Sequence, residues 1–385
     1  MKLATKLVAR PTTVSGEVEP LTLPLYETTT FVFDTAEQVK EYNEGRSGRY
    51  LYARYGGPST AAVEGTLADL DGAERALLFA SGQAATSAAL LGLLQAGDEV
   101  VCSGAAYGGT VHLMADVLSK FGIVTRFARV ADFETPGALL SARTKVLWFE
   151  SPVNPTLRCV DVRAVAAACR ARGVISILDN TFASPLNQQP LALGVDIAMQ
   201  SATKYLNGHT DLLGGVLAGP AALLDRIESA RRMVGGILDA RAAHALGRGL
   251  KTLALRVARQ NASAAAIAAW LDGSGRVERV YYPGLPGHPD HHVARGQMSG
   301  FGGMVCLELG SYERAAAFFD RLQVFQRAAS LGGVESLCSL PVLTSHWGHS
   351  PEALRNAGVT PGMARLSVGL EDAEDLIADL DRALA

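Results

Sequence analysis

The sequence predicts an α/β fold, a mostly parallel sheet covered by helices on both faces, followed by a smaller α+β domain. Three observations carry this prediction. From residue 58 onward, apolar runs rich in β-branched residues alternate with helical segments, the pattern of strands buried on both faces. Those runs typically end in Ser, Asp, Asn or Gly. Around Gly249 the texture changes to one long helical stretch and then to mixed strands and helices.

Taken in order, residues 1–57 are irregular. They hold Pro11, Pro20 and Pro24, a Thr28–Thr30 run, and a stretch rich in glycine, arginine and tyrosine from Gly45 to Gly57. Such a segment cannot build a core and is expected to be an arm laid over something else, a neighbouring subunit being one reading. PSTAAVEGTLADLDG reads as a helix entered at Pro58 and stopped by Gly72. ALLFASG is a strand ending in Ser81-Gly82, and QAATSAALLGLLQAG is a helix ending near Gly97. VVCSG, TKVLWFESP, VISILDNTF, VDIAMQSATK and LLGGVLAG follow as strands. Between two of them DVRAVAAACRARG is an amphipathic helix, with Asp161 as N-cap and Gly173 just past its end. LKTLALRVARQNASAAAIAAWLDGSG is a long helix, GGMVCLELG and MARLSVGL are strands, and the acidic C-terminus closes the chain as a helix. The expected division is an arm over 1–57, a ligand-binding domain over 58–248 and a small domain over 249–385.

A chain of 385 residues is long enough for two to three domains at about 150 residues each, and it needs no disulfide or metal staple. Charged residues are 19% and hydrophobic residues 48%, which excludes disorder and points to a large core or a hidden subunit interface. The net charge of -3 offers no global basic field for nucleic acid. Cys102, Cys159, Cys169, Cys306 and Cys338 have no CxxC spacing and sit mostly in apolar runs, so they read as buried thiols of a reducing compartment. The basic N-terminus has no apolar stretch behind it, and no run reaches the ~18 apolar residues of a membrane span. A soluble, cytoplasmic protein without membrane contact is expected.

In parallel sheets ligands bind beyond the carboxyl ends of the strands, so the polar residues there carry the chemistry. Lys204 directly follows a buried strand, where an amine can be desolvated and made nucleophilic; taken alone, it reads first as a surface lysine opening a helix. Asp179 ends VISILD, where a carboxylate can hold charge on a ring nitrogen, or simply cap a turn. A lysine with an aspartate partner for a pyridinium nitrogen is the arrangement that binds and tunes pyridoxal phosphate (PLP). Gly82 and Gln83, at a strand-to-helix turn after Ser81, offer a phosphate site, and Ser201 and Thr203 add hydroxyls. Tyr107 presents an aromatic face among glycines. Arg54, near Tyr52, is a bidentate phosphate donor or an ordinary surface arginine, and Arg365 opens a strand where a guanidinium suits a carboxylate.

The motifs SGQAA, YGGT, ESPVNP, LDNTF, SATKYLNGH, GRGLKTL, YYPGLPGHP, SLGGVESL and RLSVGLED together resemble the Cys/Met-metabolism family of PLP enzymes, in family order from about residue 50 to the end. The resemblance implies PLP fold type I, the aspartate-aminotransferase-like architecture, assembled as a homotetramer of two catalytic dimers. It implies that Lys204 carries the cofactor as a Schiff base, that Asp179 partners its ring nitrogen and that Tyr107 stacks on the ring. Gly82, Gln83, Ser201 and Thr203 match phosphate positions, completed by Tyr52 and Arg54 of a neighbouring subunit. Asn154, Ser330 and Arg365 match positions for the substrate's α-carboxylate. The activity implied is a carbon–sulfur lyase performing α,γ-elimination, with α,β-elimination in reach, on a sulfur amino acid such as methionine or cystathionine. Such enzymes serve transsulfuration and the metabolism or biosynthesis of methionine and cysteine. The alternatives are γ-replacement, of the cystathionine γ-synthase or O-acylhomoserine sulfhydrylase type, and a specialised γ-lyase acting on an unusual γ-substituted amino acid.

Three departures bear on the substrate. Ala329 stands where γ-synthases and cystathionine γ-lyases commonly have a glutamate, Gly109 where many methionine γ-lyases have a cysteine, and Gly57 where the family usually has an asparagine. Arg327 is unusual and offers a charge at the pocket mouth. His288, His291 and His292 read as a solvated loop rather than a metal site, so no metal is expected. His346 and His349 read as pocket-wall or surface histidines, with a substrate contact as the other reading. An NAD-binding Rossmann protein is excluded because no GxGxxG opens the first β–α turn.

Overall fold

The structure, a computed structural model, describes residues 1–9 and 20–385; residues 10–19 of the predicted arm, Pro11 among them, lie outside the described residues. Twelve strands among these form two sheets. The larger holds β1 (Arg75–Phe79), β2 (Glu99–Ser103), β3 (Val124–Ala128), β4 (Thr144–Glu150), β5 (Ile175–Asp179), β6 (Ile197–Ser201) and β7 (Gly215–Gly219), in the spatial order β1-β7-β6-β5-β4-β2-β3. The smaller holds β8 (Arg279–Tyr281), β9 (Met304–Glu308), β10 (Gln326–Arg327), β11 (Leu337–Ser339) and β12 (Met363–Ser367), ordered β10-β11-β12-β9-β8.

The large sheet is parallel except for β7, which runs antiparallel to both β1 and β6. The segment from Ala202 to Gly214 contains turns but no helix, and a parallel return needs a crossover of a dozen or more residues, usually helical. The chain therefore doubles back beside β6. β3 goes beyond the predicted strands. It is an edge strand with Val124 and Phe127 near 40% exposed, so it lacks the continuous apolar signature that exposed its neighbours.

Both faces are covered. Val100, Cys102, Val146, Trp148, Ile177 and Ile197 pack under the helices Gly82–Leu93 and Ala221–Val234. On the opposite face Val101, Leu147, Phe149 and Leu178 meet the helix Val162–Arg172. That helix has the expected ends: Asp161 accepts a hydrogen bond from the Ala164 amide at 3.0 Å, and Gly173 is left-handed at φ 64°. The helix after β1 stops at Leu93, earlier than Gly97, because Leu94 is already extended. The 22-residue helix Leu253–Ser274 buries Leu253 and Val257 against the large-sheet elements, then Ala264, Ile267 and Leu271 in the core of the small sheet.

In the arm, the short helix Leu3–Val8 buries Leu7 beside Val63 and Leu67, while the helix Ala36–Asn43 buries nothing. All five cysteines are free and buried, and burial pushes their thiols up. No helix among the described residues is long and apolar enough to cross a membrane.

The tightest backbone approach is at Gly215, where an added Cβ would lie 2.2 Å from the Ser81 carbonyl oxygen. Gly215→Ala is expected to destabilise by about 1–3 kcal/mol in denaturant unfolding, the cost of overpacking a core that cannot yield. Gly65, helical with nothing within 4 Å of its Cβ position, is the control, and Gly65→Ala should gain about 0.5–1 kcal/mol. Equal effects at the two positions would contradict this packing.

Candidate active site

Strand parity builds the site. Side chains alternate between the two faces of a sheet, and Val146, Trp148, Ile177, Ile197 and Met199 all point to the face under the helix Gly82–Leu93. The next residues of that parity, Glu150 on β4, Asp179 on β5 and Ser201 on β6, end their strands on the same face. There they open into a cavity of about 500 Å³ that Lys204, Tyr107, Asn154, Ser330 and Arg365 also line.

At one end lies the start of the helix Gly82–Leu93, whose first amides have no intrahelical acceptor. Ser81 caps it by accepting from the Ala84 amide at 3.0 Å. A Cβ on Gly82 would lie 3.2–3.3 Å from the Ser201 side chain, so glycine lets helix start and strand end converge on one small concavity. Thr203 lines the cavity too, its hydroxyl receiving the Gly214 amide at 3.0 Å. Gln83 donates from Nε2 to the Gly109 carbonyl at 2.9 Å, tying the helix start to the Tyr107 turn.

Asp179 lies in the cavity floor, and burial raises its carboxyl above the usual carboxylate range. Thr181 opposes that rise by donating to Asp179 Oδ1 from its amide at 3.0 Å and its hydroxyl at 2.5 Å. The same hydroxyl accepts from the Ser201 amide at 2.8 Å. Tyr107 lines the cavity and is 53% exposed, and its amide donates to Glu150 Oε1 at 2.6 Å.

The small sheet supplies the opposite wall. On β12, Ala364 and Leu366 enter its core, whereas Met363 packs with Val153 and Cys306 on the other face. Arg365 shares that other parity and reaches across the gap. Its Nη1 donates to Asn154 Oδ1 at 2.8 Å and its Nη2 to the Ser330 carbonyl at 3.2 Å. Ser330 holds φ at 95°, an unusual conformation for a residue with a Cβ, and its Oγ accepts from Lys204 Nζ at 2.7 Å. Burial first, and the Arg365 charge second, lower the Lys204 amine to about 8.

Ten of the twelve residues singled out from the sequence thus surround one cavity or its rim. Tyr52 and Arg54 do not reach it. Arg54 donates to the Arg232 carbonyl at 2.7 Å and lies over the Tyr55 ring at 4.9 Å. Two further residues were missed by the sequence reading, Glu150 and Thr181. Glu150 was open to the logic that found Asp179, an acid ending an apolar run; Thr181 carries no such signal.

Arg327 is not at the pocket mouth. It sits on β10 and donates to the Leu322 carbonyl at 2.6 Å. Ala329 lines the cavity. His288 is not solvated but 5% exposed, its Nδ1 accepting from the Asp290 amide, and burial lowers it to about 4. The loop is docked rather than free because Asp290 pairs with Arg158 and accepts from the Cys159 amide at 2.8 Å. No group of histidine, cysteine and acidic side chains among the described residues is placed to hold a metal. His346 is buried, bonded to Ser345 Oγ at 2.9 Å, and stacks edge-on with His349.

This donor set fits PLP. An amine lowered to about 8, a half-buried carboxyl and a concavity of helix amides and hydroxyls lie around a space of suitable size. The family model described as Cys/Met metabolism PLP-dependent enzyme matches residues 4–385. The chain is 39% identical over 368 residues to cystathionine gamma-synthase 1, chloroplastic, of Nicotiana tabacum, covering 95% of this chain and 68% of that one. It is 40% identical over 364 residues to L-methionine gamma-lyase of Pseudomonas putida, covering 94% and 92%. The solved structure of cystathionine gamma-lyase from Lactobacillus plantarum complexed with L-serine superposes with a TM-score of 0.92 at 36% identity, covering 100% and 98%.

In the cofactor-free protein the Lys204 amine should react with an acylating reagent with a midpoint near pH 8, its lowered value. Removing the cation in Arg365→Gln should move the midpoint to higher pH, because a nearby positive charge disfavours protonation. Mass spectrometry of the Lys204 peptide reads both; an unmoved midpoint would count against this electrostatic arrangement.

Proposed function

The chain belongs to the family of Cys/Met metabolism PLP-dependent enzymes, and from that premise we propose that it is a carbon–sulfur lyase. The reaction is α,γ-elimination on a sulfur amino acid whose far end is uncharged, with methionine as the type and cystathionine a weaker candidate. Water is consumed, and a 2-oxo acid, ammonia and a thiol are released. Identities of 39% to a synthase and 40% to a lyase do not separate these reactions, so the reading rests on the pocket. The observation that carries it is the outer cavity wall of Ala329, Leu213, Thr344 and Ser345, which has no carboxylate to attract a distal amine.

Pyridoxal phosphate is the cofactor, and when bound it supplies an electron sink for ionisation at the substrate's Cα. Lys204 would hold it covalently and Asp179 would face its ring nitrogen, with Tyr107 against the ring. Gly82, Gln83, Ser201 and Thr203 would receive the phosphate. Arg365 and Asn154 would bind the substrate carboxylate and so aim the Cα–H bond toward Lys204. With its amine lowered to about 8, Lys204 is partly neutral near neutral pH and can accept a proton at Nζ. Ser330 Oγ positions that nitrogen. Tyr107, half exposed at the mouth, can hand a proton from its hydroxyl to a departing thiolate.

Tyr52 and Arg54 we assign to the cavity of a neighbouring protomer in a homotetramer. The apolar side chains near them support this: Val32 is 86% exposed, Met233 69% and Val234 64%, a surface that calls for a cover.

Purified enzyme should release 2-oxobutanoate from methionine or homocysteine faster than from cystathionine; no 2-oxo acid from any thioether would sink the lyase reading. The cavity of about 500 Å³ also has room for a thiol co-substrate, which favours γ-replacement as the second reading. Faster turnover of an O-acylhomoserine with cysteine or sulfide would establish that instead. For the shared site, co-refolded Lys204→Ala and Arg54→Ala protomers should regain activity that neither variant has alone. Absence of complementation would place Arg54 outside the site.

A further inference from the structure

Glu150 is a second carboxyl in the cavity, one that the proposed reaction leaves without a task. It ends β4 as Asp179 ends β5, and the two are register partners on adjacent parallel strands. Their side chains therefore leave the sheet on the same face, one interstrand spacing of about 4.8 Å apart at the backbone. Glu150 is 5% exposed, and its Oε1 accepts from the Tyr107 amide at 2.6 Å. No lysine or arginine among the described residues pairs with either carboxyl. The ionisable groups facing Glu150 are Asp179 from β5, the buried Cys102 thiol from β2 and Tyr107 from the turn, with Lys204 and Arg365 across the same cavity.

Two carboxylates at this spacing, away from bulk water, do not both ionise at neutral pH, and one proton stays with the pair. Hydrogen bonding decides where it sits. Asp179 accepts two bonds from Thr181 on one oxygen, which stabilises its anion, whereas Glu150 accepts one, from Tyr107. Glutamate also starts from the higher intrinsic value. Burial and the Asp179 charge both push Glu150 well up.

We propose that Glu150 is a positioning residue that works protonated: the pair carries a single negative charge, on Asp179, and the neutral Glu150 carboxyl pins the Tyr107 turn. This keeps the floor of the cavity monoanionic while fixing the height of the phenol ring above it. The inference rests on the cofactor reading for its purpose. The proton itself is a property of the chain and is measured separately.

Infrared spectra of the full-length protein at neutral pH, with and without added PLP, should show the C=O stretch of a protonated carboxyl. The band should move in D2O and be missing in Glu150→Gln. Glutamine keeps a neutral acceptor for the Tyr107 amide. Glu150→Gln should therefore hold PLP within about threefold of the parent dissociation constant, while Glu150→Ala weakens it about tenfold, the worth of one hydrogen bond. Absence of the band, or a glutamine variant that loses PLP as far as alanine does, overturns the proposal. A band that is present in a protein unable to bind PLP at all would instead refute the cofactor reading of the cavity.

Discussion

A buried guanidinium with no counter-ion among the described residues is the constraint on which the site depends. Arg365 is 6% exposed, and its bonds go to neutral oxygens, Asn154 Oδ1 and the Ser330 carbonyl. An uncompensated charge at such a place costs several kcal/mol in desolvation. Folding accepts that cost because the guanidinium spans the gap between the two sheets, its strand in the smaller and its acceptor Asn154 in the loop after β4. The same charge helps depress Lys204, and it leaves the cavity short of one anion. A carboxylate entering there meets a fork already oriented and already stripped of water.

Much of this was legible in the sequence because it follows from local rules. Apolar runs buried on both faces announce themselves, and so do the polar residues that end them. The cap at Asp161 and the stop at Gly173 are written in single residues. Period-two alternation in MARLS places Arg365 opposite the small core without any knowledge of its partner. What stayed hidden depends on chain path or on distant company. The reversal of β7 follows from a connection that forms turns and no helix, which no residue in LLGGVLAG reveals. β3 is a half-exposed edge with no sequence signature. His288 looked solvated because HPDHH is polar, yet its burial comes from Asp290 meeting Arg158, 132 residues away in sequence.

The placement of Arg327 carries a related lesson about charge near a site. Two residues from Ala329 in sequence, it is turned onto the Leu322 carbonyl, and it leaves the outer wall without either sign of charge. Nearness in sequence does not bring a long side chain to the site: the short strand ends at Arg327, Ala329 lies beyond it, and the guanidinium is spent on a carbonyl outside the cavity. The uncharged wall thus results from the missing glutamate and the averted arginine together.

Thr181 joins the two ends of the cavity with a single oxygen, donating to Asp179 and accepting from the Ser201 amide. The carboxyl at one end and the strand terminus at the other are thereby held to a fixed separation, whatever occupies the space between them. The cavity acts as a gauge block. A flat ring with its anionic tail at the right length touches both stops at once, and a molecule of another length touches only one.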